Sequence, residues 1–204
     1  MPRQAICISH ATGADGEAVG RAVAERLGFR YVDDDVIAEA AEWAELDPAL
    51  VADAERRRPL VARLLGGLGE QGSATRLPAG DTSRGLPSDA DLRQLIADAL
   101  RTFADAGSVV IVAHAASFAL AGRDVLRVLV TAAPDTRAKR IGDAKGIDER
   151  KAAKVMKEED AGRADYLKRF YGIERELPTQ FDLVVNTDTL TPGKAAEIVV
   201  VAAT

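Results

Sequence analysis

Near the N-terminus an apolar run breaks into Ser9-His10-Ala11-Thr12-Gly13-Ala14-Asp15-Gly16-Glu17-Ala18-Val19-Gly20. A strand that breaks at glycines and restarts as a helix aims backbone N–H groups and the positive helix end at one small volume, which suits a phosphate. Gly13, Ala14, Asp15, Gly16 and Glu17 are therefore candidate contacts to nucleotide phosphates. The full phosphate-loop motif, G-x-x-x-x-G-K-[ST], adds a lysine for the outer phosphates and a hydroxyl for magnesium. Here Gly16 is followed by Glu17 and Ala18, and the carboxylates of Asp15 and Glu17 repel an anion. The same glycines also serve an ordinary strand-to-helix turn with Asp15 as the cap.

Further candidates stand where apolar runs end: His10, Asp33, Asp34, His114 and Asn186. In an open parallel sheet, ligands gather beyond the carboxyl ends of the strands. The chain's two histidines follow strands in matching positions, where a pair can hydrogen-bond a phosphate or titrate near neutrality. Asp160, Arg163 and Tyr166 recur at three-residue spacing and share a helical face. A guanidinium there can grip a phosphate in bidentate fashion while the carboxylate takes a ribose hydroxyl. The plainer alternative is a solvated helix with an Asp160–Arg163 surface pair. Arg137 and Arg140 either close over ATP phosphates or line an exposed helix.

The elements that must position these residues follow from periodicity. Short β-branched runs at 5–9, 29–32, 109–112, 126–131 and 183–186 alternate with helical patterns, which implies a parallel sheet. The first helix is predicted from Asp15 or Gly16 to the stop at Gly28, with Val19, Val23 and Leu27 on one face. Helices are also predicted over 36–43 and 48–65, followed by a glycine-rich, weakly apolar loop over 66–87. Ser88 precedes a helix that ends at Gly107. Pro134 opens another, which Gly146 interrupts; 148–171 forms a long charged helix and 192–201 the closing one. The expected organisation is one domain over 1–204, with a helical acceptor-side insertion at 36–88 and a lid-like segment at 142–172.

Composition narrows the function classes. With 204 residues and 47% hydrophobic content the chain can bury one sizeable core. The formal charge of −5, from 27 basic and 32 acidic residues, supplies no general field for DNA or RNA, so no nucleic-acid partner is expected. Cys7 is the sole cysteine, which rules out an intramolecular disulfide and suggests a reduced thiol in the cytoplasm. No apolar stretch approaches the roughly 20 residues that span a bilayer, and no membrane association is expected. Oligomeric state is open.

Several segments in order carry a family resemblance: Ile8-Ser9-His10, Gly13 to Gly16 with Val19-Gly20, Leu27 to Asp33, Val110 to His114, Leu126 to Val130, Arg137 to Ile141, and Asp160 to Tyr166. Together they resemble the cytidylate kinase-like family, a branch of the nucleoside monophosphate kinases. The resemblance implies an α/β, three-layer phosphate-loop NTPase fold with a five-stranded parallel sheet. It implies transfer of the γ-phosphoryl group of ATP, with Mg2+, to CMP or a related nucleoside monophosphate. In that reading Gly13 to Gly16 cradle the donor phosphates and Asp33 lies near the acceptor. Arg137 and Arg140 start the lid, Asp160 meets the acceptor ribose and Arg163 its phosphate, with Arg163 and Arg140 in the catalytic role. The family usually has Gly-Ser-Gly-Gly at 13–16, and arginine commonly stands at the positions of His10 and His114.

Two functions compete. One is a working kinase with an atypical phosphate loop. The other is a kinase-fold binding or regulatory protein without catalysis, motivated by Asp15 and Glu17. A dehydrogenase or methyltransferase is disfavoured because Gly13, Gly16 and Gly20 lack the G-x-G-x-x-G spacing.

Overall fold

Ile6, Cys7 and Ile8 have no exposed surface, because the strand that carries them runs through the middle of a five-stranded parallel sheet covered on both faces. The computed structural model describes residues 3–33 and 89–204. In chain order the elements are β1 (Ala5–His10), α1 (Gly16–Leu27), β2 (Arg30–Val32), α2 (Asp89–Ala106), β3 (Val109–Val112), α3 (Ala116–Ala119), β4 (Leu126–Thr131), α4 (Pro134–Lys145) and α5 (Glu149–Tyr171). A 3-10 turn (Pro178–Gln180), β5 (Leu183–Asn186) and α6 (Pro192–Ala203) complete the chain. The helices expected at 36–43 and 48–65, the loop at 66–87, the insertion at 36–88 and Asp34 lie outside the described residues.

The strand order is β2-β3-β1-β4-β5, with Ile6 beside Val110 on one side and Leu126 on the other. From β1 the chain builds one half of the sheet and then crosses to build the other. That reversal opens a crevice at the carboxyl end of β1, where ligands of open α/β sheets bind.

Alternation along β1 divides the core. Ile6 and Ile8 face α1 and α6 with Val19, Val23 and Val199, all fully buried. Ala5 and Cys7 face α2, α3 and α5, where Ile111, Leu100, Leu167 and Phe170 pack. Each such aliphatic side chain contributes about 1.5–3 kcal/mol on burial. Burial also raises the Cys7 thiol well above its ordinary pKa, so it stays protonated and unreactive. The close fit of α1 depends on Gly20, since a Cβ there would collide with Val112.

Helix ends fall where the sequence signals them. α1 stops at Gly28, which adopts φ 65° and donates to the carbonyls of Ala24 and Glu25. Pro134 and Pro192 open α4 and α6, and Asp148 caps α5 by accepting from the Lys151 amide at 2.9 Å. α4 and α5 pack through Ala138, Ile141, Ala152 and Met156. Further along α5, Tyr166, Leu167 and Phe170 belong to the main core, so this half of the charged helix is anchored rather than solvated.

Candidate functional site at the carboxyl end of the sheet

The β1–α1 turn is tight because its glycines leave no alternative. Gly13 has φ 76°, and a Cβ on it would lie 2.7 Å from the Arg137 carbonyl oxygen. Gly16 is pressed against the His10 ring, whose Cβ and Cγ would overlap an added methyl. The Ala14 amide donates to Ala11 O at 2.9 Å, and the first helical bond of α1 runs from Val19 N to Asp15 O at 3.0 Å. The amides of Gly16, Glu17 and Ala18 therefore precede any helical acceptor and carry the partial positive charge of the helix end. Glu17 is exposed on this first turn.

Asp15 does not cap α1. It adopts φ 60°, its side chain makes no cap hydrogen bond, and its Oδ2 lies 3.1 Å from Arg140 Nε. Arg140 also donates to Thr187 O at 2.6 Å, to Thr187 Oγ1 at 3.0 Å and to Gly13 O at 3.4 Å. Thr187 is wholly buried just past β5, its hydroxyl 3.0 Å from Ala14 O. One turn earlier on α4, Arg137 donates through Nε to Thr12 O at 2.6 Å and through Nη2 to Asp160 Oδ1 at 2.5 Å. Neither arginine lines an exposed helix: both tie α4 to the turn. Asp160 pairs with Arg137 across the helix–helix contact and not with Arg163, its neighbour on α5.

Beside the turn, Arg163 reaches from α5 to the end of β1. Its Nη2 donates to Ser9 Oγ at 2.7 Å and to Glu176 Oε2, and Ser9 Oγ donates to Glu176 Oε1 at 2.5 Å. Ser9 is fully buried, Arg163 is 7% exposed, and both side chains of the Arg163–Glu176 pair are 8% exposed. The rings of His10 and His114 meet here with centroids 5.9 Å apart. Desolvation, reinforced by the Arg163 charge, holds both below the usual histidine pKa; His114 is pushed down to about 3. Both are neutral at pH 7.

The structure thus brings His10, His114 and Arg163 into one cluster and Gly13 to Gly16, Arg137, Arg140 and Asp160 into an adjoining one. Asp33 stands apart at the edge strand β2, where its Oδ2 accepts from Arg21 at 3.2 Å. Asn186, on the opposite edge strand, accepts the Asp188 amide at 2.7 Å and shapes a turn. Tyr166 packs on Phe170 with ring centroids 4.8 Å apart and is core. Ser9, Thr187 and Glu176 were not anticipated. The strand-end rule that singled out His10 covers Ser9 and Thr187 equally, whereas no local signal marks Glu176.

The chain matches known proteins over this same framework. A profile of the cytidylate kinase-like family matches residues 5–189. A cytidylate kinase from Sulfolobus acidocaldarius is 34% identical over 93 residues, 45% of this chain and 50% of that protein, so the match spans about half of this curated relative. An uncharacterized protein from Eubacterium ventriosum superposes with a TM-score of 0.68 at 16% identity, covering 98% of this chain and 97% of that one. Shikimate kinase from Acinetobacter baumannii, in complex with shikimate, superposes with a TM-score of 0.51 at 13% identity, covering 98% and 90%. The structural likenesses show that the chain shares its fold with these proteins, a shikimate kinase among them. With the profile spanning all five strands and the β1–α1 turn, the chain belongs to the cytidylate kinase-like family.

Proposed function

We propose that this protein transfers the γ-phosphoryl group of ATP to CMP or a related nucleoside monophosphate. The observation that carries the reading is the convergence of Arg137, Arg140 and Arg163 on the end of β1 and the turn that opens α1. Phosphoryl transfer depends on positioning and on positive charge facing the oxygens of the moving group. Gly13 to Gly16 and the free amides of α1 receive the donor phosphates, flanked by Arg137 and Arg140. Arg163, with His10 and His114 as neutral hydrogen-bond partners, receives the acceptor phosphate, and Asp160 takes its ribose. Each arginine is now held by a carboxylate, from Asp160, Asp15 and Glu176 respectively, and each must exchange that partner for phosphate.

The turn does not suit a protein-held magnesium ion. Ala18 has no side-chain oxygen, Asp15 is engaged by Arg140, and among the described residues no group of three His, Cys, Asp or Glu can hold a metal. Mg2+ would arrive on the ATP phosphates, and no step is assigned to side chains that bind it.

A second reading, nucleotide binding without turnover, is favoured by one specific feature. Asp15 turns its carboxylate onto Arg140, and Glu17 stands where a lysine would meet the outer phosphates. One lost contact to developing charge costs roughly 3 to 4 kcal/mol, a factor of 10² to 10³ in rate. The two readings separate in a phosphotransfer assay with MgATP against CMP, dCMP and the other common nucleoside monophosphates. Turnover that falls at least 100-fold in Arg163→Met supports transfer. No turnover from folded protein, with a thermal shift on CMP alone, establishes the binding reading instead.

A further inference from the structure

We propose that Glu176 is a resident anion in the phosphate-receiving position of Arg163, and that a phosphoryl group enters only by displacing it. The assignment of that group to a nucleoside monophosphate rests on the function proposed above; the exchange itself rests on the geometry. A carboxylate presents two oxygens to a guanidinium much as a phosphate does. Both Glu176 oxygens are engaged, one by Ser9 Oγ and one by Arg163 Nη2.

The pairing nonetheless leaves the cluster incompletely satisfied. Arg163 Nη1 and His114 Nδ1 are both buried and have no hydrogen-bond partner among the described residues. Buried polar atoms without partners are costly, and a two-oxygen carboxylate already committed to Ser9 and Nη2 does not reach them. A phosphate brings an additional oxygen, enough to engage Nη1 and His114 in the tautomer that carries the proton on Nδ1.

Glu176 is also the member of the cluster best able to leave. It comes from the connection between α5 and the 3-10 turn, where its neighbours Glu174, Arg175, Leu177 and Pro178 are exposed. Ser9, His10 and Arg163 are fixed by a central strand and a core-packed helix, so a small rotation of the connection withdraws the carboxylate without disturbing them.

The test titrates inorganic phosphate and CMP into the full chain by calorimetry, comparing wild type with Glu176→Gln, Arg163→Met and the double variant. Gln keeps the shape and removes the competing charge. The expected result is at least fivefold tighter binding of both probes to Glu176→Gln, with the gain lost in the double variant. Unchanged or weaker binding in folded Glu176→Gln overturns the proposal. If that variant does not fold, Glu176→Asp retains the charge while shortening its reach. Tighter phosphate binding then supports displacement, and unchanged or weaker binding overturns it. Tighter binding by a protein that transfers no phosphoryl group leaves the exchange standing and sinks only the kinase reading.

Discussion

Asp15 gives its carboxylate to Arg140 across the mouth of the β1–α1 turn, Oδ2 to Nε at 3.1 Å, while its backbone is held at φ 60° and ψ 25°. Asp15→Gly removes the negative charge from the turn and relieves a left-handed conformation that costs a non-glycine residue about 1 kcal/mol. The lost pair is partly exposed and worth about 0–1 kcal/mol. Stability by urea denaturation is therefore expected to stay within about 1 kcal/mol of wild type, while ATP affinity rises several-fold as Arg140 is released. Weaker ATP binding would mean that the pair organises the turn.

Glu17 presents a second carboxylate at the same helix end, exposed on the first turn of α1. It stabilises the helix through its dipole by about 0.3–1 kcal/mol and repels an incoming phosphate by a comparable mechanism. Glu17→Lys is expected to lower stability by about 0.5–1 kcal/mol and to tighten ATP binding by about tenfold, roughly 1.4 kcal/mol. Fluorescent-nucleotide competition reads the affinity; no gain in a folded variant argues against donor phosphates at this turn.

Gly16→Ala tests the packing of the turn without touching charge. The added methyl would overlap His10, and both residues sit on regular elements fixed by the core. Overpacking of this kind costs about 1–3 kcal/mol. The variant should melt several degrees lower and lose its ATP-induced stabilisation. A full ligand response would show that the close approach of α1 to β1 is not needed for binding.

Most of the scaffold was readable because its signals are local. Gly28, Gly107 and Gly146 end helices where their periodic faces run out, Pro134 and Pro192 start them, and β4 occupies the anticipated run, Leu126–Thr131. The neighbourhood was legible in part: the fold gathers Arg137, Arg140 and Asp160 at the β1–α1 turn and His10, His114 and Arg163 beside it, while Asp33 and Asn186 take local partners. The pairing within the clusters had no sequence signal. Three-residue spacing suggested an Asp160–Arg163 pair, but packing of α4 on α5 brings Arg137 to Asp160 and leaves Arg163 to Glu176. Ser9 and Glu176 are 167 positions apart, and only the folded chain juxtaposes them. The exposed stretch around Glu176 has the composition of a surface connection, so burial of its carboxylate is a tertiary fact with no periodic trace.

The neutral histidines make stability depend on pH in a defined direction. His114 titrates near 3 in the folded protein and His10 below its ordinary value of 6.5, both chiefly because burial opposes the charged form. In the unfolded chain both take up protons as pH falls through about 6.5. Between that pH and the folded values the unfolded state binds more protons than the native state, so stability declines with acidification, by up to about 1.4 kcal/mol per pH unit for each histidine. Urea denaturation at pH 7, 6, 5 and 4 should show this decline beginning near pH 6.5, above the range where carboxylates contribute. His114→Gln, which cannot titrate, should flatten the curve between pH 6 and 4 relative to wild type. An unchanged slope in that variant would mean that His114 takes up a proton in the folded protein as readily as in the unfolded chain, and that the pocket beside Arg163 admits a second positive charge.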